Sequence, residues 1–202
     1  MRCGVDTDKF LPTVKSHVNN EPINLLTVAR LTKVKNIPLL LSICENLWKQ
    51  GLEYSCTIVG DGPERTDLEE QIRKLGLEDQ VTLNGVISQE NLVAIYQNAD
   101  LYVLTSLSEG IPVTAMEALA SGLPVIAPNI TGMSEIVIDG ENGFLFPEGD
   151  LDRAVNAIIR VAEDSELREQ MGIRGREKVL KEYNIDTNVG QLADLFAKVL
   201  EI

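Results

Sequence analysis

The sequence predicts an α/β fold: a Rossmann-like, doubly wound parallel sheet of about six strands flanked by helices. Two observations carry this. Short apolar runs alternate along the chain with longer amphipathic stretches, the order that right-handed strand–helix–strand crossovers produce. The apolar runs are continuous rather than alternating with polar residues, so both faces of the sheet are covered, as in parallel sheets. The elements follow in order. Residues 1–21 read as an extended lead-in, with Pro12 and Asn19–Asn20 as breakers. "INLLTVA" (23–29) is the first strand, and "IPLLLSICENLWKQG" (37–51) a helix with Pro38 in its first turn and Gly51 at its end. "YSCTIVG" (54–60) is a strand, and Pro63 suits the start of the helix in 61–76. "QVTLNG" (80–85) is a strand, and Ser88 caps the helix in 88–99. "DLYVLTS" (100–106) is a strand, and "PVTAMEALASG" (112–122) a helix with Pro112 at its first position and Gly122 beyond its end. "LPVIAP" (123–128) and "GFLFP" (143–147) are strands around a short helix at 133–138. Helices over 150–164, 165–183 and 186–202 close the chain. This divides it into a lead-in or connector (1–21), a Rossmann-like domain (22–185) and a C-terminal helix (186–202).

The 202 residues suit one full-sized domain with a real core. A net charge of −13 speaks against nucleic acid and against anionic membrane as partners, and for solubility. The opening "MRCGVDTDKF" has no signal-peptide core, and no run approaches a membrane span, so a cytoplasmic location is expected. Cys3, Cys44 and Cys56 stand far apart, which fits buried thiols in a reducing compartment. The single histidine, His17, lies in the polar lead-in and reads as a surface residue. That sets aside a zinc site and a histidine triad, and no metal or other cofactor is expected.

In such sheets ligands bind where strands end at their C-termini. After the first strand, "ARLTKVKN" places Arg30, Lys33 and Lys35 together, either a site for an anionic ligand or a solvated basic loop. After the second, "VGDGPER" has Arg65 where a dinucleotide fingerprint needs its third glycine, so a tight turn is the better reading. After the fourth, "SEGIP" is a loop and Pro112 begins a helix. Its free N–H groups, from about Ile111, Val113 and Thr114, suit phosphate. Glu109 lies in that loop. Glu117 lies on the apolar helix face with Val113, Met116 and Ala120. A carboxylate there wants donors. Ribose hydroxyls would serve, and so would a structural arginine or lysine.

The ordered motifs "VARLTKVKN", "IVGDGPE", "VTLNGVIS", "YQNADLYVLTSLSEGIPVTAMEALASGLPVIA", "TGMSEIVIDGENGFLF" and "EYNID" cover nearly the whole chain. Together they resemble the C-terminal, donor-binding domain of retaining glycosyltransferases of family four, the group 1 glycosyl transferases, with the GT-B fold. The resemblance implies roles. Arg30 and Lys35 contact the diphosphate of a UDP-, GDP- or ADP-linked sugar. Glu117 binds the ribose and Glu109 approaches the donor sugar. The main chain of Gly110, Ile111, Val113 and Thr114 holds sugar and phosphate, and Val86 and Ile87 lie near the base. It also implies transfer of a hexosyl-type group with retention, in glycan, polysaccharide or glycolipid synthesis. "GVDTDKF" (4–10) resembles the connector after an N-terminal acceptor domain, so the chain is expected to bind donor but not to transfer sugar alone; any peripheral membrane contact belongs to the other half. Leu192, Leu195, Phe196 and Val199 form an apolar stripe on the last helix, which packs toward the first domain in two-domain relatives; here it is expected to fold onto its own domain, pair with a partner or be mobile. The chain departs from the family in Lys35–Asn36 and Ala29, where glycine is frequent. It also has "EGIPV" for "EGFGL", in which Pro112 lacks an N–H. A non-catalytic nucleotide-binding module, a nicotinamide-dependent epimerase and a glycosidase-type carboxylate pair are the competing readings.

Overall fold

The computed structural model describes residues 4–13 and 22–200, with side chains to residue 196. Cys3, His17 and the side chain of Val199 lie outside the described residues. Six strands, β1 (Ile23–Val28), β2 (Tyr54–Val59), β3 (Val81–Gly85), β4 (Leu101–Val103), β5 (Val125–Pro128) and β6 (Gly143–Phe146), form one sheet in the order β3-β2-β1-β4-β5-β6. All neighbouring pairs are parallel. The helices are α1 (Ile37–Lys49), α2 (Arg65–Leu75), α3 (Gln89–Asn98), α4 (Val113–Ala120), α5 (Met133–Ile136), α6 (Leu151–Glu163), α7 (Ser165–Glu182) and α8 (Ile185–Leu200). None of them is long and apolar enough to cross a membrane, among the described residues.

The continuous apolar strands now have a reason. Successive side chains point to opposite faces, and each face has its own core. Leu25, Leu101, Val103 and Ile126 pack with α1, α2 and α6 on one side. Leu26, Tyr102, Val125 and Ala127 pack with α3, α4 and the end of α7 on the other. Asp150 and Asp164 cap α6 and α7 by accepting from the amides of Arg153 (3.0 Å) and Leu167 (2.9 Å). Cys44 and Cys56 are free thiols buried in the first of these cores.

Three local expectations change. The fourth strand ends at Val103, because Thr105 and Leu107 turn away to bond the loop after β1. Thr105 Oγ1 donates to Lys35 O (3.1 Å), and the Leu107 amide to Val34 O (2.8 Å). A 3-10 turn at Lys33–Lys35 stands in that first loop, ended by Asn36 in the left-handed region (φ 48°), a conformation asparagine tolerates better than most residues. The lead-in is docked at its start rather than simply extended: Val5, Thr7 and Phe10 are buried. The Val5 amide donates to Tyr183 O (2.8 Å), the Ile185 amide to Val5 O (3.1 Å), and Arg176 Nη1 to Phe10 O (2.9 Å). On α8, Leu195 and Phe196 are each 58% exposed while Leu192 is half-buried, so this part of the stripe stays off the domain's own core.

Gly60 shows how tightly the first two loops are seated. It sits at φ 135°, and a Cβ there would lie 1.9 Å from Ala29 O. Gly60→Ala is expected to lower unfolding stability by about 2 kcal/mol or more, read as a lower urea midpoint with unchanged slope. A midpoint within error of the parent's contradicts this.

Candidate functional site

The strand order reverses between β1 and β4. Chains leaving neighbouring strands in opposite directions open a crevice at their C-terminal ends, the usual ligand site of such sheets. Both loops that border it carry residues singled out from the sequence. Arg30 and Lys35 follow β1, and Glu109 to Thr114 follow β4.

The two loops are tied by an ion pair. Lys35 Nζ lies 2.5 Å from Glu109 Oε1, and the two side chains are only 25% and 10% exposed. The Ser106 hydroxyl donates to the same oxygen at 2.6 Å. An ammonium has three donors and a carboxylate about four acceptor positions, so both groups keep capacity for a ligand. Arg30 is exposed and makes no ion pair among the described residues. It is seated by the turn after β2: the Leu31 amide donates to Asp61 O (3.0 Å), and a Cβ on Gly62 would lie 2.3 Å from Leu31 O. "VGDGPER" is thus the tight strand-to-helix turn expected of it, and it holds the loop that carries Arg30.

Helix α4 begins one residue later than expected. Pro112 is its N-cap, with φ −73° and ψ 120°, and its carbonyl accepts from the Ala115 (3.2 Å) and Met116 (3.3 Å) amides. Proline lacks only its own N–H, so the first-turn N–H groups of Val113 and Thr114 remain as donors. Those two amides, and those of Gly110 and Ile111, make no hydrogen bond to the described residues. Four donors and the positive end of a helix dipole thus gather beside Lys35 and Glu109. Gly132 backs this loop at φ 86°, so close that a Cβ would meet the Gly110 carbonyl.

Glu117 projects from the second turn of α4 and is 8% exposed. No cation pairs with it among the described residues. Its partner is Tyr96 on α3, whose hydroxyl lies 2.9 Å from Glu117 Oε2 and 3.1 Å from Thr114 O. Burial raises the Glu117 pKa, offset in part by the Tyr96 hydrogen bond and the charge of Lys9. Burial also pushes the Tyr96 phenol up, with Tyr102 and Glu117 adding to it, so it stays a protonated donor. The Tyr102 hydroxyl lies 2.8 Å from Thr114 Oγ1 and 3.2 Å from Val28 O, joining β4, the end of β1 and the start of α4.

Val86 and Ile87 follow the edge strand β3, two strands from the reversal. Val86 is 81% exposed, and Ile87 packs on the core. Tyr96, Ser106, Lys9 and Gly132 were not foreseen. Only Tyr96 left a signal: a tyrosine on the apolar side of a helix has a hydroxyl that needs a partner. No group of three or more His, Cys, Asp or Glu residues gathers among the described residues.

A raised folded-state value makes the ionised form of Glu117 the costly one. Its contribution to stability is fully present below the ordinary glutamate value of 4.5 and is lost as pH rises through the raised value. Carboxyl-carbon NMR is expected to find Glu117 titrating above 4.5, with the corresponding slope in stability absent from Glu117→Gln. A midpoint at or below that value contradicts the burial account.

The chain matches the family model described as "Glycosyl transferases group 1" over residues 12–178. It is 34% identical over 209 residues to the putative colanic acid biosynthesis glycosyltransferase WcaL of Salmonella typhimurium, a match covering 98% of this chain and 50% of that protein. Among solved structures, the sucrose-phosphate synthase of Thermosynechococcus elongatus superposes with a TM-score of 0.87 at 29% identity, over 98% of this chain and 52% of that one. The pneumococcal O-GlcNAc transferase GtfA, solved in complex with UDP and GlcNAc, superposes with a TM-score of 0.83 at 26% identity, over 98% of this chain and 39% of that one. The chain spans about half the length of the first curated relatives it matches. Fold, ordered motifs and these matches agree: the chain belongs to the group 1 glycosyl transferases, and its sheet is one Rossmann-like half of a GT-B fold.

Proposed function

We propose that this chain is the donor-binding half of a retaining, NDP-sugar-dependent glycosyltransferase that moves a hexosyl-type group to an acceptor in glycan, polysaccharide or glycolipid synthesis. One observation carries the reading. Arg30, the Lys35–Glu109 pair and the unbonded amides of Gly110, Ile111, Val113 and Thr114 border the same crevice, with Glu117 one turn further into α4. Cations and a helix start suit a diphosphate, and an anionic carboxylate with spare acceptor positions suits neighbouring hydroxyls. UDP is the nucleotide bound by the pneumococcal neighbour. For this chain UDP, GDP and ADP are the candidates to compare.

In this reading Arg30 and Lys35 bind the diphosphate, and the amides of Val113 and Thr114 hold its oxygens. Glu117 binds the ribose and Glu109 meets the donor sugar, while exposed Val86 and adjoining Ile87 flank the base. As the bond from the anomeric carbon to the phosphate oxygen breaks, its electron pair passes to the diphosphate. The cations and the helix start are preorganised against that growing charge. The acceptor hydroxyl attacks from the same face, and its proton goes to the departing phosphate. Neither carboxylate acts as nucleophile, and no metal or other cofactor takes part. An N-terminal acceptor domain supplies the facing wall of the cleft, with exposed Leu195 and Phe196 of α8 available to meet it. Catalysis is cytoplasmic, and contact with the inner face of the membrane, if the whole enzyme makes any, runs through the acceptor half.

Titration calorimetry with UDP, GDP and ADP tests this. At least one is expected to bind, with affinity falling about tenfold or more in Arg30→Ala and in Glu117→Ala. The 202-residue chain is expected to transfer no sugar by itself. Binding of no nucleotide points to a fold kept without the donor site. Transfer by the chain alone refutes the need for a second domain.

A further inference from the structure

We infer that Tyr96 is a positioning residue for the donor's ribose: its hydroxyl holds the Glu117 carboxylate in the orientation that accepts two neighbouring ribose hydroxyls. This rests on the donor-site reading above and adds to it a residue outside the helix and loops that border the crevice.

The geometry is specific. The Tyr96 ring is fully buried, and its hydroxyl touches the helix from which Glu117 projects at two points, Oε2 of the carboxylate (2.9 Å) and the Thr114 carbonyl (3.1 Å). The ring itself is clamped. Phe10 meets it edge-on at 5.5 Å, and Tyr102 stacks on it at 6.1 Å. A glutamate side chain has several rotatable bonds, and a fixed phenol removes that freedom before a ligand arrives. The bond to Tyr96 occupies one of about four acceptor positions on the carboxylate, so the rest serve incoming hydroxyls.

The choice of a neutral donor matters. An arginine or lysine in place of Tyr96 would pair with Glu117 and compete, often through two oxygens, for the positions the ribose needs. A phenol orients the carboxylate through one bond and leaves its charge in place. Lys9 acts on Glu117 only through its charge; no hydrogen bond or ion pair joins the two among the described residues.

The test is calorimetry of the 202-residue chain with UDP, GDP and ADP, each against its 2′,3′-dideoxy counterpart. The parent chain is expected to prefer the ribose form of the nucleotide it binds by about tenfold or more. In Tyr96→Phe that preference is expected to shrink to about threefold or less, with affinity for the dideoxy form unchanged. Phe10→Leu keeps the hydroxyl but loosens the ring, and is expected to narrow the preference by a smaller factor. Tyr96→Phe with the full preference overturns the inference, as does equal weakening of both nucleotide forms, the mark of a merely structural role. Should circular dichroism show Tyr96→Phe unfolded, an unchanged preference in Phe10→Leu overturns it. If the parent binds a nucleotide without any ribose preference, Tyr96 has nothing to position. If it binds none, the donor-site reading itself fails.

Discussion

The Lys35–Glu109 ion pair is the contact on which the site depends, because it joins two loops that the strand reversal sends apart. An exposed pair contributes under about 1 kcal/mol, whereas removing one partner from a buried pair costs about 3–5 kcal/mol. With the side chains 25% and 10% exposed and Ser106 bound to the same carboxylate oxygen, this pair lies nearer the second regime. Each side chain holds the other in place. The Leu107 amide and Thr105 hydroxyl reinforce the tie from the β4 side. The amides from Gly110 to Thr114 then follow at a settled position, backed by Gly132.

Two glutamates eight positions apart have different surroundings and so different uses. Glu109 is held by an ammonium and a serine hydroxyl at the border of the crevice. Glu117 is buried against a phenol. In the proposed reading the first meets the sugar and the second the ribose. In the same reading the cations and the helix start take the diphosphate, whose charge changes most during transfer. A pair of carboxylates that must act as acid and nucleophile needs no such anion site between them.

The strands and helices were largely legible because their residue patterns are local, although the pairing order of the strands is not. Continuous apolar strands such as "INLLTV" and "VIAP" reflect two cores, and caps such as Asp150 act within one turn. What the sequence concealed depends on partners far along the chain. β4 is cut short by Thr105 bonding Lys35, Tyr96 finds Glu117 on another helix, and the Val5 amide reaches the Tyr183 carbonyl. Candidate residues in the loops after β1 and β4 stand out in the sequence because loop ends at a strand reversal are few and their chemistry is explicit. The Pro112 position shifted by one residue.

In the proposed function the strand reversal between β1 and β4 holds the nucleotide. A crystal structure of the chain with UDP tests it most directly. The diphosphate is expected between Arg30, Lys35 and the amides of Val113 and Thr114, with both ribose hydroxyls on Glu117. A nucleotide bound elsewhere, for instance on the Gly60–Gly62 turn, or a ribose that leaves Glu117 untouched, would contradict it.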